Sequence, residues 1–372
     1  MVKILHIARP IAGIGVYVSL LSKYLDSSKF SNTIICNTNE DIIDIVNDNG
    51  VKIDHFHCEL KREIRFIYDI KCLIGIFKIV KKLKPDIIHC HSSKSGILGR
   101  IIGFITNTKT LYTPNAYSYL SADAKSKRFL LKSIERFFGL LPVKTLACST
   151  SELNRAIVDL SIKKDNVTLW NNSIENEIIT KNSEYLSKLP KDFICSIGRP
   201  SYQKHTELLI KAVLKIKETQ KNIHLVILGV GFYSPTLNKI KKSILSNNLS
   251  ENITLVPWLE RSEGLGILDK SLIFVSSSRY EGLPYAVLEA LSLSKPCVLT
   301  NVDGNKDLVK NNYNGFLVDE NADELAQKID KILSDTVLRK DMEKNARKEF
   351  ESFYDIKKNI KTLEKIYLSF IK

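Results

Sequence analysis

At 372 residues the chain has the length of two domains rather than one. Its 44% hydrophobic and 26% charged content is ordinary globular usage and excludes a disordered or fibrous protein. Lys and Arg total 55 against 41 Asp and Glu, a net charge of +14, so the surface attracts phosphates, whether of nucleic acid, an anionic membrane or a small molecule.

No stretch reaches the ~18 uninterrupted apolar residues of a membrane-spanning helix. The most apolar segment, 72–80, is broken by Lys78, and the amino terminus is too short for the apolar region of a signal peptide. A soluble cytoplasmic chain is the expectation. Seven cysteines (36, 58, 72, 90, 148, 195 and 297) are odd in number and none has C-x-x-C spacing. Reduced thiols are expected, with neither a disulfide framework nor a structural zinc site.

From the amino terminus, residues 3–8 read as a strand, followed by Gly13 and Gly15 in a turn and a helix to Leu25. Further strands are expected at 33–36, 86–91, 110–113 and 145–149. A helix between them carries Ile70, Leu73, Ile74, Phe77 and Val80 as its apolar stripe. The polar segment 183–192, with Pro190, reads as a linker, and strands resume at 193–197, 224–228, 253–256, 272–275 and 296–299. Repeated strand–helix units imply parallel sheets covered by helices, an α/β chain of two doubly wound domains. The expected domains are 1–182 and 183–355, with a ligand cleft between them and the last helix, 356–371, packing back across the junction.

In the first half, Gly13 and Gly15 permit close backbone approach to a ligand, or form an ordinary tight turn. His91, Ser92 and Lys94 end the strand 86–91 and supply donors for hydroxyl or phosphate, with His89 on the opposite face in the core. His55 and His57 lack remote partners and make a poor metal site. Residues 124–138 form a basic amphipathic helix. Its mixture of Lys and Arg with Phe and Leu suits an anionic bilayer, or a core-packing helix with a solvated basic face. Segments 59–65 and 78–84 add cations to the same half. Nucleic acid is not the expected partner, since no helix-turn-helix, zinc-finger or aromatic RNA-binding pattern occurs.

In the second half, Arg199 and Lys204 follow a strand at the entry to a helix, placed to neutralise a departing diphosphate or simply to be surface charge. Ser278-Arg-Tyr-Glu281-Gly282-Leu283-Pro284-Tyr-Ala-Val-Leu-Glu289 follows the strand 272–275 and leads into a helix that Pro284 suits at its start. Glu281 then lies on the turn and Glu289 in the helix. A carboxylate accepts two hydrogen bonds at once and suits a pair of sugar hydroxyls. Taken alone, the two acids read first as a loop acid and a solvated helix acid, and it is their placement in Arg279-Tyr-Glu281-Gly-Leu-Pro284…Leu288-Glu289-Ala290 that reverses this.

The Glu281-Gly-Leu-Pro…Glu289 segment resembles the E-x7-E signature of the family-4 retaining glycosyltransferases, which have the GT-B fold of two facing Rossmann-like domains. The Gly198-Arg199 and Lys204 segment resembles the family's diphosphate grip, and Leu228-Gly229-Val-Gly231 its second-domain glycine turn. Asp303-Gly304 and Asn314-Gly315-Phe-Leu-Val318 match the family's tail, and Asp86-Ile-Ile-His89-Cys-His91-Ser-Ser-Lys94 resembles enzymes that build bacterial surface polysaccharides such as O-antigen and capsule.

The resemblance implies a retaining, metal-independent transfer needing no cofactor, from a nucleotide-sugar, expected to be a UDP-sugar, to an undecaprenyl-diphosphate type saccharide. The enzyme would sit on the inner face of the cytoplasmic membrane through 124–138. Glu281, Arg199 and Lys204 would be catalytic. Glu289, Gly282, Leu283, Pro284, Gly198 and Gly229 would bind the donor. Gly13, Gly15, His91, Ser92, Lys94 and Asn115 would bind the acceptor. The family often has T-P-H-G where this chain reads Thr113-Pro-Asn115-Ala116, and an asparagine is neither acid nor base near neutral pH. His205 stands where the family often has glycine and Asp307 where it often has glutamate. Two rival classes are a GT-B sugar-nucleotide epimerase, which needs no acceptor, and a non-catalytic polyanion binder, whose affinity collapses with salt.

Overall fold

The computed structural model describes residues 1–37, 45–60, 65–176, 180–231 and 234–371. Part of the basic segment 59–65 lies outside the described residues. The chain forms two compact units, Met1–Asn172 with Ile356–Lys372, and Ser173–Asp355.

The first unit is built on strands β1 (Val2–Ile7), β2 (Phe30–Cys36), β3 (Asp54–His57), β4 (Ile87–His91), β5 (Lys109–Thr113), β6 (Val143–Ala147) and β7 (Val167–Leu169). They pair in the order β3-β2-β1-β4-β5-β6-β7, all parallel. Parallel neighbours need crossovers, and these are the helices α1 (Gly13–Tyr24), α2 (Phe66–Leu83), α3 (Ser93–Thr106), α4 (Lys125–Phe138) and α5 (Thr150–Asn154). Helix α3 lies close on the sheet because it turns glycines toward it. A Cβ on Gly99 would overlap Cys90 Sγ, and one on Gly103 would overlap Thr110 Oγ1.

The second unit has strands β8 (Ile194–Ile197), β9 (Leu225–Val230), β10 (Ile253–Pro257), β11 (Phe274–Ser276), β12 (Cys297–Thr300) and β13 (Gly315–Val318), in the order β10-β9-β8-β11-β12-β13. Its helices are α6 (Thr206–Thr219), α7 (Leu237–Ser246), α8 (Arg261–Lys270), α9 (Tyr285–Ser292), α10 (Asn305–Leu308), α11 (Ala322–Ser334) and α12 (Thr336–Phe353). An aliphatic core of α6, α11 and the sheet, with Leu209, Val213, Ile227, Val275, Val298 and Ile329, holds this unit together. Helix α13 (Ile356–Ile371) returns to the first unit against α1.

Four expectations change. The described residues 173–176 and 180–182 belong with the second unit, because Ile174 N–H donates to Tyr354 O and Lys181 N–H to Ser262 O. In α2 the buried side chains are Cys72, Ile76 and Val80, whereas Ile70 and Ile74 are exposed, as are Phe66 and Ile67. Helix α2 is apolar on more than one face, and periodicity cannot choose the face that meets the sheet. Cys58 and Cys72 are joined as a disulfide with Cα atoms 5.6 Å apart, so two of the seven thiols are not free; the other five are buried. Finally, β3, β7 and β13 are strands that the sequence reading missed. The first two are short outermost strands, and β13 is a four-residue run opened by a glycine. Among the described residues no helix is long and apolar enough to cross a membrane.

Candidate active site

In the second unit, β8 ends at Ile197 and the chain turns through Gly198 and Arg199 before α6. Gly198 has φ +150°, and a Cβ there would stand 2.9 Å from Lys204 Cε, so the lysine side chain lies across the bare glycine backbone. Lys204 Nζ thereby reaches Glu281 Oε1 at 2.7 Å. Glu281, 8% exposed, sits in the β11–α9 turn, and its other oxygen accepts from Gln203 Nε2 at 3.2 Å. The Gly282-Leu283-Pro284 turn that carries it is anchored by buried Leu283, and Pro284 caps α9. Gly304 (φ +79°) packs against this turn: a Cβ on it would stand 2.6 Å from Gly282 O. Arg199 is half-buried at the mouth of β8, next to Gly229 (φ +86°), whose own Cβ would stand 3.9 Å from Arg199 N.

Glu289 lies one and a half turns into α9, 7% exposed. Its Oε1 accepts from Arg261 Nε at 2.7 Å. Burial pushes its carboxyl pKa up, with the Arg261 guanidinium opposing that rise. The structure thus brings Lys204 and Glu281 into contact and gives Glu289 a cation of its own.

The first unit departs further from expectation. Gly13 and Gly15 belong to the first turn of α1, and the strained backbone falls instead on Ala12 at φ +52°. Ser92 (φ +68°) precedes α3, and Lys94 pairs with Asp69 of α2 at 2.6 Å. Asn115 (φ +51°) and Ala116 (φ +75°) form a left-handed turn after β5. Asn115 Nδ2 is sealed from solvent without a hydrogen bond.

His91 does not line an open face. It is fully buried, its Nε2 3.0 Å from His6 Nδ1. His89 shares its side of the sheet rather than the opposite one, with ring centroids 4.2 Å apart, because residues two apart on a strand point the same way. Both are in the core. His6 Nε2 also meets Asn32 Oδ1 at 3.2 Å, and His89 meets Tyr367 OH at 2.7 Å and Thr113 Oγ1 at 2.9 Å. The three rings bring ligand atoms within 4.8 Å of one another. One tautomer assignment, Nε2–H on each neutral ring, satisfies every one of these bonds and leaves a single acceptor, His91 Nδ1, unpaired. Burial pushes the His6 pKa down to about 4 and those of His89 and His91 well below their ordinary value. The cluster reads as a hydrogen-bonded neutral core.

Two family models cover nearly the whole chain: "Glycosyltransferase Family 4" matches residues 11–177 and "Glycosyl transferases group 1" residues 178–349. The chain belongs to the family-4 glycosyltransferases. It is similar to an Escherichia coli "UDP-Gal:alpha-D-GlcNAc-diphosphoundecaprenol alpha-1,3-galactosyltransferase", 29% identical over 93% of this chain and 91% of that protein. It is also 26% identical to the Staphylococcus aureus "Capsular polysaccharide biosynthesis glycosyltransferase CapM", over 89% of this chain and 90% of that one. Among solved structures, Anabaena HepE in complex with UDP-glucose superposes with a TM-score of 0.81, covering 99% of this chain and 100% of that one at 14% identity. The fold is therefore GT-B.

Within this glycosyltransferase, sequence reasoning missed three site-forming residues, Gln203, Arg261 and Glu152, and one core residue, His6. Gln203 and Arg261 stand in loops and helix ends where an isolated polar residue carries no pattern. Glu152, buried, accepts from Ala116 N and Cys148 N, both at 2.8 Å, and so holds the Asn115–Ala116 turn. Its signal was legible, since Ser149-Thr-Ser-Glu152 has the S-x-x-E spacing of a capping box, and Ser149 Oγ does accept from Glu152 N. His6 lies in an apolar strand, and only the pairing of β1 with β4 reveals its partner.

Proposed function

We propose that this glycosyltransferase moves a sugar from a UDP-sugar to a hydroxyl of a lipid-linked, undecaprenyl-diphosphate type saccharide, with retention of anomeric configuration, in the assembly of a bacterial surface polysaccharide. The observation that carries the reading is the Lys204–Glu281 contact at 2.7 Å across Gly198. One ammonium with three N–H donors spans the carboxylate that would hold the transferred sugar and the diphosphate that would leave. Glu281 binds the sugar hydroxyls, Arg199 and Lys204 hold the diphosphate, and Glu289 takes the ribose diol. The acceptor oxygen bonds to the anomeric carbon on the face from which the donor phosphate oxygen departs, and that phosphate oxygen takes the acceptor proton. Charge building on the leaving oxygen is what the two cations stabilise. The names of the Escherichia coli and Staphylococcus aureus relatives, and the UDP-glucose bound to HepE, support the donor and acceptor classes.

Glu281→Ala is expected to abolish transfer while its melting temperature stays within a few degrees of wild type. Near-wild-type turnover in that variant would remove Glu281 from the mechanism.

The acceptor's lipid calls for a seat at a bilayer, and the first unit offers one. Lys125, Lys127, Arg128, Phe129 and Leu130 are all exposed at the start of α4, and Phe66, Ile67 and Ile70 at the start of α2. Crossover helices of a parallel sheet begin at the carboxyl edge of its strands, the edge that carries Ser92 and Asn115. Asp69 of α2, bonded to Lys94, ties one of these apolar turns to that edge. Co-sedimentation with phosphatidylcholine vesicles, with and without phosphatidylglycerol, checks this. Binding is expected only to the anionic vesicles, weakened about tenfold by Phe129→Ser with Leu130→Ser. Equal binding to both vesicle types sinks the membrane seat.

A further inference from the structure

Arg261 is the first residue of α8, where a cation opposes the helix macrodipole. A residue that breaks a local rule is a place to look for function. Its guanidinium is engaged twice, by Nε with Glu289 Oε1 at 2.7 Å and by Nη1 with Glu175 Oε2 at 3.5 Å. Glu289 is itself only 7% exposed, in a helix whose side chains from Val287 to Ser292 are all buried. Burial favours the protonated form of such an acid, which has one fewer acceptor site to offer a diol. Among the described residues Arg261 is the one hydrogen-bonding partner of the Glu289 side chain, and Oε2 carries no bond.

We infer that Arg261 is a positioning residue for donor selection: it keeps Glu289 ionised and pins Oε1, so that Oε2 presents to the ribose hydroxyls and the site selects ribonucleotide over deoxyribonucleotide donors. The inference rests on the reading of Glu289 as the ribose ligand. It adds that the carboxylate works only with the cation from α8, and that Glu175, in the segment that joins the second unit, holds the cation's far side.

The test measures binding of UDP and 2′-deoxy-UDP by calorimetry, together with donor KM and kcat. Wild type is expected to prefer UDP by about ten- to a hundredfold, the size of one charge-assisted hydrogen bond. Arg261→Met is expected to cut that preference below about threefold and to raise donor KM about tenfold, with kcat changed less than about threefold. Arg261→Lys, which keeps the charge, retains more of the preference than Arg261→Met, and the reverse order overturns the charge argument. If Arg261→Met does not fold, Arg261→Gln reads the same ratio. A wild-type ratio in either uncharged variant, with the ratio lost in Glu289→Gln, overturns the role of Arg261 alone. A wild-type ratio in Glu289→Gln, or no preference in wild type, overturns the ribose reading and this inference with it.

Discussion

Lys204 is held over Gly198 by geometry that only a missing side chain permits. At φ +150° an L-residue is strained, and a Cβ would push on Lys204 at Cγ, Cδ and Cε, all within 3.1 Å. Gly198→Ala is therefore expected to displace the ammonium from Glu281 and lower kcat/KM for transfer about a hundredfold, as misplacement by about an ångström does. Its melting temperature should fall by only a few degrees. Activity within about twofold of wild type would show that Lys204 does not depend on this glycine. Lys204 and Glu281 were legible as candidates, since each stands in a segment that resembles the family's motifs. Gln203, which completes the shell of Glu281, was not. An amide beside a lysine on a loop looks like solvent-facing sequence until the fold turns it inward.

At the scale of elements, α4 carries both surface and core duties. Its first two turns are exposed, yet Glu135 in its last turns is buried against α3 and β5. There it pairs with Arg100 at 2.9 Å, both side chains 2% exposed, and accepts from Tyr112 OH at 3.0 Å. The Arg100 guanidinium lies over the Tyr112 ring, 4.2 Å from its centroid. Removing one partner strands a buried charge. Glu135→Leu is thus expected to cost about 3–5 kcal/mol in urea denaturation, whereas Arg100→Met with Glu135→Leu together costs far less or nothing. A small loss for the single change would mean that water reaches the site. The sequence showed a basic amphipathic helix and left open which duty it serves. The structure buries Glu135 near the end of the helix and leaves its first two turns exposed. Helix α2 shows the same limit, because its several apolar faces left the choice of buried face to the neighbouring strands.

Across the first unit, the neutral histidine core ties distant segments together: β1 through His6, β2 through Asn32, β4 through His89 and His91, β5 through Thr113 and α13 through Tyr367. Its pH dependence has a definite sign. His6 titrates near 4 when folded against an ordinary 6.5, so between those values the unfolded chain holds a proton that the folded chain does not. The stability this provides is fully present above about pH 6.5 and falls as pH drops toward 4, by about 3 kcal/mol for His6 alone. His89 and His91, depressed by burial first and by their neighbours second, act in the same direction. Urea midpoints measured near pH 7 and pH 4.5 should differ accordingly, with proton uptake on unfolding. A midpoint that stays constant across that range would mean that the rings are already charged in the folded chain.

Alternation of strand and helix, with punctuation by glycine and proline, determined the fold class from the sequence alone, and the resemblance of the segments around Arg199, Lys204, Glu281 and Glu289 to a known family determined the family and named the donor-side candidates. These are local patterns, and a local pattern survives being read in one dimension. The tertiary structure decided which face of α2 is buried, where the chain passes from one unit to the next, that His91 belongs to the core, and that Glu289 shares its charge with Arg261. Each of these depends on pairing between residues tens of positions apart or more. Burial and partner are set together by the sheet order, and no spacing along the chain records that order.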